Sequence, residues 1–214
     1  MSNNVHEQAE CSTHISLLRH GECEGGHIFR GSTDVALSSQ GFDNMLARCE
    51  AHDWPWQHVL SSPLQRCKRF AEHVAQDKSL SLSTDDDLRE IYFGDWEGQD
   101  IANMWQENEQ ALLAWGQNPE AFTPPNGELL SDVAIRVNNA FAQMLQIHRG
   151  QQLLVLAHGG VIRVLLAHIL GMPLSQIGRI DIPYASLSQL AIYHYPGRED
   201  VIKLLNLNSL GSVK

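Results

Sequence analysis

Leu17-Leu18-Arg19-His20-Gly21-Glu22 is where an apolar run ends on a cation, an imidazole and a glycine. The run itself, Ile15 to Leu18, reads as a buried strand. A core strand ending this way suits an anion bound at its tip. The pattern recurs twice. Val59-Leu60-Ser61-Ser62 leads into Pro63 and then Arg66, and Leu153-Leu154-Val155-Leu156-Ala157 leads into His158-Gly159-Gly160. Three strand-like runs therefore each deliver a basic side chain just past their carboxyl ends, the edge where open α/β sheets bind ligands.

Working outward, the segment Gly21 to Ser39 is polar and glycine-rich, giving the backbone a tight path close to a ligand. Ser38 or Ser39 is placed to cap a helix running to about His52, broken by Trp54-Pro55. A second strand spans Gln57 to Ser61. Ser62, Pro63 and Gln65 then predict a helix start with a capping box, and Arg66 falls in its first turn, where the helix dipole favours an anion. Ser79 to Thr84 alternates as a short strand. Leu88 to Gly98 mixes aromatics, glycines and carboxylates, as active-site loops do. One helix is expected over Gln99 to Gln117, and a long amphipathic one from Leu130 to His148. After the strand Gln152 to Ala157, Gly159-Gly160 opens a helix that runs to Leu170 and ends at Gly171. Leu187 to Tyr195 and Val201 to Leu207 read as a hairpin around Pro196-Gly197. This alternation predicts a three-layer α/β/α sandwich with a mostly parallel central sheet and an antiparallel edge strand or hairpin near the C-terminus.

The 214 residues suit one α/β domain over 14–214, preceded by a flexible leader, 1–13. A net charge of −10 argues against general nucleic-acid or anionic-membrane partners. No apolar run is long enough to cross a bilayer. Cys11, Cys23, Cys49 and Cys67 form no C-x-x-C pair and fit no zinc spacing, which points to a reduced, cytoplasmic setting. His14, His27 and His52 lack helical ligand spacing, so no metal and no cofactor is expected. The chain reads as a monomer or homodimer.

Arg19, His20, Arg66 and His158 together suit a phosphoryl group. Two guanidiniums bind its oxygens in pairs, and backbone N–H groups at the Ser62 and Gly159 helix openings add donors. Cations around an imidazole depress its pKa and keep the ring neutral, hence nucleophilic. The departing alkoxide needs a proton, and Glu90, Asp95 and Glu97 all compete to supply it. Each part has a plainer reading: Arg-His-Gly as a turn, Arg66 as a solvated helix residue, His158 as a buried histidine bonded to a carbonyl. Cys23 reads as a small pocket-side residue. Arg30, Tyr92, Trp96 and Asn126 are candidates for the leaving-group pocket.

Taken in order, these segments resemble the histidine phosphatase superfamily, in its phosphoglycerate-mutase-like branch. The likeness runs from about Ser16 to Leu190. It rests on Leu18-Arg19-His20-Gly21-Glu22, on Gly31-Ser32-Thr33-Asp34-Val35-Ala36-Leu37 with Gly41, on Ser61-Ser62-Pro63-Leu64-Gln65-Arg66, on Leu88-x-Glu90 with Phe93-Gly94-x-Trp96-Glu97-Gly98, and on His158-Gly159-Gly160-Val161-Ile162-Arg163. The resemblance implies that His20 is the phosphorylated nucleophile. It implies that Arg19, Arg66 and His158, with Gly159, Cys23 and Arg30 nearby, hold the phosphoryl group, and that Glu90 is acid and then base. It implies no metal. Phe93 to Glu97, Pro125-Asn126-Gly127-Glu128 and the run from His158 through Leu170-Gly171-Met172-Pro173 are most similar to its α-ribazole-5′-phosphate phosphatase subgroup, of cobalamin nucleotide-loop assembly. Cys23, Gly26 and Leu129 stand where many members carry other residues, and the mutases' insertion is missing, so a phosphatase acting on a small phosphorylated metabolite is expected. The alternatives are a sugar-phosphate or broad-specificity phosphatase, a phosphoglycerate-type mutase, and a non-catalytic phospho-ligand-binding protein.

Overall fold

Alternate residues along the central strands face opposite helical layers, and that alternation builds the fold. The computed structural model describes residues 9–51 and 55–209. In chain order the main elements are β1 (Cys11–Arg19), α1 (Ser39–Glu50), β2 (His58–Ser61), α2 (Gln65–Asp77), β3 (Ser81–Thr84), α3 (Ile101–Glu107), α4 (Glu109–Gln117), α5 (Leu130–Ile147), β4 (Gln152–Ala157), α6 (Gly159–Leu170), β5 (Leu187–His194) and β6 (Val201–Ser209). The sheet order is β3-β2-β4-β1-β5-β6. The first four strands in that order pair in parallel, while β5 runs antiparallel to β1 and to β6. This is the expected three-layer fold with a mostly parallel sheet and a C-terminal antiparallel hairpin.

Ile15 and Leu17 of β1 join Leu153 and Val155 of β4 in a core with Val137 and Phe141 of α5 and Val161 and Leu165 of α6. Leu18, Leu154 and Leu156 face the other way, onto Met45 of α1 and Phe70 and Val74 of α2. Each such side chain, fully withdrawn from water, contributes about 1.5–3 kcal/mol. A smaller cluster gathers Trp96, Met104 and Leu112 with Phe29, Phe93, Trp115 and Phe122. It seats the α3–α4 segment beside the carboxyl edge of the sheet.

Several boundaries differ from the sequence reading, most of them by one or two residues. β1 begins at Cys11 rather than Ile15, taking Cys11–Thr13 out of the expected leader, because Cys11 to Leu18 pair along β5. Buried Thr13 bonds the His194 ring at 2.7 Å and accepts from the Gly150 N–H at 2.8 Å, so its polarity is satisfied. The leader's first eight residues lie outside the described residues, as do His52 and Trp54. α1 ends at Glu50, with Ser38 accepting from Gly41 N as its cap. The helix expected over Gln99 to Gln117 is two helices, since Asn108 leaves helical geometry, closing α3 onto Met104 O and opening α4 with its own carbonyl. The Ser62–Gln65 capping box does not form. Asp34 accepts from Gln65 N at 2.8 Å instead, and Ser62 is turned toward His158.

β4 and the α6 stop match their expectations. Gly171 at φ 64° is the left-handed cap of α6.

Candidate active site

His20 follows the last residue of β1 and is 3% exposed. Its Nδ1 lies 2.8 Å from the Gly21 carbonyl, which can only accept. Nδ1 therefore carries the proton, and Nε2 carries the lone pair. Burial holds the ring well below the ordinary imidazole pKa, and the Arg66 and Arg19 guanidiniums add to the effect. Desolvation is the larger cause, ahead of the cations to which the sequence points.

Arg19 lies beside His20, with its guanidinium 4.1 Å from the centre of the Tyr184 ring and Nη1 donating to Ile182 O. Its Nε is buried with no partner among the described residues. Such an orphaned donor is free to bind an anion or a water.

Arg66, in the first turn of α2, is fully buried. Nε donates to His158 Nδ1 at 3.2 Å, Nη1 to Thr33 O at 2.9 Å and Nη2 to Gly31 O at 2.8 Å and Arg30 O at 3.4 Å. Because Arg66 donates to His158 Nδ1, the proton of that ring is on Nε2, which donates to Ser62 Oγ at 2.7 Å. The His20 and His158 rings are 5.2 Å apart. Burial and Arg66 also hold His158 well below the usual imidazole range. The expected paired bonds from Arg66 to a phosphate are thus largely committed to main-chain carbonyls, leaving a single N–H on Nη1.

The three competing carboxylates part company. Glu90 is buried; one oxygen accepts from Ile91 N at 3.0 Å and the other from Gly160 N, in the first turn of α6, at 3.2 Å. A Cβ on residue 160 would come within 2.5 Å of Glu90 Oε1, so only glycine lets the carboxyl approach α6 this closely. Glu97 is a tether instead. It accepts from Ser32 N and Thr33 N at 2.9 Å, from Phe93 N at 3.0 Å and from the Thr33 hydroxyl. Asp95 accepts from Asn126 Nδ2.

A cleft of about 320 Å³ opens beside Arg19, His20 and Glu90, while Arg66 and His158 are fully buried and do not line it. Arg19, His20, Glu90, Gly159, Arg163 and Tyr184 line its polar end, with Arg30 at the margin. Arg30 donates to Glu24 O at 2.9 Å and to Gly26 O. Ile28, Phe29, Phe93, Ile101, Trp115 and Ile177 form an apolar wall. Of the candidates for the leaving-group pocket, only Arg30 lines it. Tyr92 sits on the far side of the Leu88–Gly98 loop that carries Glu90 (the acid loop), Trp96 is buried and stacked on Phe122, and Asn126 is held by Asp95. Cys23 is buried, with its Sγ 3.6 Å from both His20 Nδ1 and Gly21 O, and burial pushes the thiol up. Tyr184 and the apolar wall went unassigned in the sequence. Tyr184 belongs to no motif, and the wall draws one or two residues from each of several distant segments. All four cysteines are free thiols. Among the described residues, no cluster of three or more His, Cys, Asp or Glu side chains is placed to hold a metal ion, and no helix is long and apolar enough to cross a membrane.

The buried imidazoles set a pH dependence. His14, His20, His58 and His158 all lie below 6.5 in the fold, each chiefly through burial, and the unfolded rings titrate near 6.5. Below that pH the unfolded chain binds more protons, so the stability these groups contribute is complete above 6.5 and is lost as pH falls. The melting temperature is expected to be lower at pH 5.5 than at pH 7.5; an equal or higher value at pH 5.5 refutes this.

Cation, neutral imidazole and carboxyl groups converging at the carboxyl edge of a parallel sheet are what phosphoryl transfer asks of a protein, and the chain is an α/β enzyme of that class. More narrowly, it belongs to the histidine phosphatase superfamily (branch 1), which matches residues 15–207, and it is a phosphatase acting on phosphorylated substrates. It is 26% identical over 198 residues to an adenosylcobalamin/alpha-ribazole phosphatase of Escherichia coli K12, covering 91% of this chain and 96% of the relative. It is 28% identical over 179 residues to a probable phosphoglycerate mutase of Salmonella choleraesuis, covering 82% and 83%. A mycobacterial glucosyl-3-phosphoglycerate phosphatase, solved with inorganic phosphate, superposes with a TM-score of 0.80 at 26% identity, covering 94% of this chain and 99% of that one.

Proposed function

We propose that this protein is a metal-independent phosphomonoesterase that works through a phosphorylated His20 and takes α-ribazole 5′-phosphate as its preferred substrate. The observation that carries the reading is the His20 tautomer: Nδ1–H is spent on Gly21 O, so Nε2 offers its lone pair beside Arg19 and within the cleft that Glu90 also lines. Nε2 attacks phosphorus in line. The P–O ester bond breaks, and the leaving oxygen takes a proton from the Glu90 carboxyl. The carboxylate that results removes a proton from water, which attacks phosphohistidine and frees inorganic phosphate with the ring restored. The buried Arg19 Nε and the uncommitted Arg66 N–H bind the equatorial oxygens. His158 keeps Arg66 in place through Nδ1. Such charge placement in a dry site stabilises the metaphosphate-like transition state without reorganisation.

The apolar wall supports the choice of substrate. Phe29, Phe93 and Trp115 suit an aromatic base carried on the leaving ribose, and the Escherichia coli relative is named for α-ribazole. A second reading, a phosphoglycerate-type or sugar-phosphate substrate, draws on Arg30 and Arg163, whose positive charges line the same cleft and suit a carboxylate. Phosphate release from α-ribazole 5′-phosphate, measured with chelator beside glycerate and sugar phosphates, separates the two. An apolar contact surface of this kind is expected to favour the ribazole ester in kcat/KM by about tenfold or more. Equal or faster turnover of the glycerate phosphates overturns the ribazole assignment.

A further inference from the structure

On the far side of the acid loop from the cleft lies an ion pair with an unusual set of bonds. Arg136, on α5, donates through Nε to Glu128 Oε1 at 2.7 Å and through Nη2 to Glu128 Oε2 at 2.9 Å. Its Nη1 donates to Asp87 O and to Arg89 O, both at 2.7 Å, and Nη2 also reaches Glu90 O at 3.4 Å. Every N–H of the guanidinium is thereby used. Glu128 completes the clamp, since Tyr92 N donates to its Oε2 at 3.3 Å and Glu128 N donates to Tyr92 O at 2.8 Å. The main chain is gripped at residues 87, 89, 90 and 92, on both sides of Glu90.

The stretch around Glu90 has no sheet partner, and its turn of 3₁₀ helix ends at Leu88. Leu88 and Ile91 anchor it in the core, and the main-chain carbonyls between and before them are held by Arg136. The two partners are 17% and 22% exposed, so the paired charge-assisted bonds are shielded more than an ordinary surface pair. Neither side chain lines the catalytic cleft. Both lie behind the loop, beside a separate hollow that Glu90 also borders.

We infer that Arg136 and Glu128 are a positioning pair for the proton donor: they fix the backbone of residues 87–92 so that the Glu90 carboxyl stays over the leaving oxygen, and they touch no substrate. The inference rests on the reading of Glu90 as the acid. Lysine at 136 keeps the charge but offers no planar fork and cannot reach two carbonyls and a carboxylate together. The Glu90 loop then loses its grip while Arg19, His20 and Arg66 keep theirs.

The experiment compares kcat/KM, which reports steps up to alcohol release, for an alkyl phosphate and for p-nitrophenyl phosphate, whose leaving group needs no proton. Arg136→Lys is expected to lose about tenfold or more on the alkyl ester, in line with the cost of misplacing a catalytic group by an ångström, and far less on the nitrophenyl ester. Inhibition by inorganic phosphate is expected to stay unchanged, because the phosphate-binding groups are untouched. In the Glu90→Gln background, Arg136→Lys is expected to add nothing further on the alkyl ester. Equal losses on both esters, or losses that multiply in the double variant, overturn the inference. If Arg136→Lys does not fold, Glu128→Gln carries the same comparison with melting temperature monitored. Should Glu90→Gln alone lose both esters equally, the acid assignment itself falls and this inference with it. Should Glu90→Gln be selective and Arg136→Lys not, only the positioning role is overturned.

Discussion

His20→Ala is expected to lower kcat/KM on the order of 10⁴-fold or more, the scale seen when a nucleophile that works as part of a unit is removed. The reason is chemical. With Nε2 gone, the remaining groups still bind and polarise a phosphate, but no atom is left to take the phosphoryl group. Water must then attack directly from a cleft arranged for a ring nitrogen. The fold is expected to survive. The one bond the ring makes to the backbone goes to Gly21 O, and Cys23 Sγ also donates there at 3.6 Å. The check is rapid quenching in base, where a phosphoramidate persists, together with turnover and inhibition by phosphate. The wild type should trap a phosphoenzyme, and the variant should trap none while still binding phosphate. Near-normal turnover by His20→Ala would remove the proposed mechanism.

The same ring links pH to rate. Its pKa is held low by burial first and by Arg66 and Arg19 next. His20 thus remains neutral, and able to attack, well below pH 6.5. Under the proposed mechanism, attack by His20 is therefore expected to fail on the acid side where the ring takes a proton. Stability starts to fall earlier, from pH 6.5 downward, because the unfolded imidazoles protonate there. Two acid-side limbs at different pH, one of stability and one of activity, follow from one set of buried rings.

What could be read from the sequence follows the range over which each interaction acts. β4 is a continuous apolar run buried on both faces, and its bounds, Gln152 to Ala157, are those expected. The α6 stop is local chemistry, one glycine in a left-handed cap. The start of β1 depends on a partner strand more than 170 residues away, so the polar residues Cys11, Ser12 and Thr13 gave no sign of it. The basic residues at the strand tips were visible because each follows its own apolar run. The choice among Glu90, Asp95 and Glu97 is not legible from spacing, which does not say which way a loop turns; only the family resemblance singles out Glu90. Glu97 is withdrawn from chemistry by the backbone of Ser32, Thr33 and Phe93. Arg66 shows the same limit. Its place in the first turn of α2 was legible, but not the carbonyls of Gly31 and Thr33 that occupy its fork. The aromatic wall had no sequence signature, since Phe29, Phe93 and Trp115 meet only through the tertiary fold.

Arg66→Met is expected to be both inactive and markedly destabilised, and the two losses have separate causes. The guanidinium is fully buried, and it satisfies Gly31 O, Thr33 O and His158 Nδ1. A thioether, two atoms shorter, fills only part of the space and leaves those acceptors unpaired, at about 1–3 kcal/mol each. For a chain of this size each kcal/mol is worth about 2–4 °C, so the melting temperature should fall by about 10 °C or more. The catalytic loss arises at the phosphate and at the two rings. Under the proposed mechanism a donor to the phosphoryl oxygens disappears, and His158 loses the Arg66 bond at Nδ1. The charge itself has a further readout. Arg66 ranks second, after burial, among the causes that hold both His20 and His158 below the usual imidazole range. Its removal lets both pKa values rise, so whatever activity remains should lose its acid limb at higher pH than the wild type does. Arg66→Lys, which restores the charge but not the fork, should return the acid limb toward the wild-type position while recovering little of the rate. An Arg66→Met enzyme whose acid limb stays put would show that burial and Arg19 suffice to keep His20 neutral, and that the Arg66 charge is not needed for it.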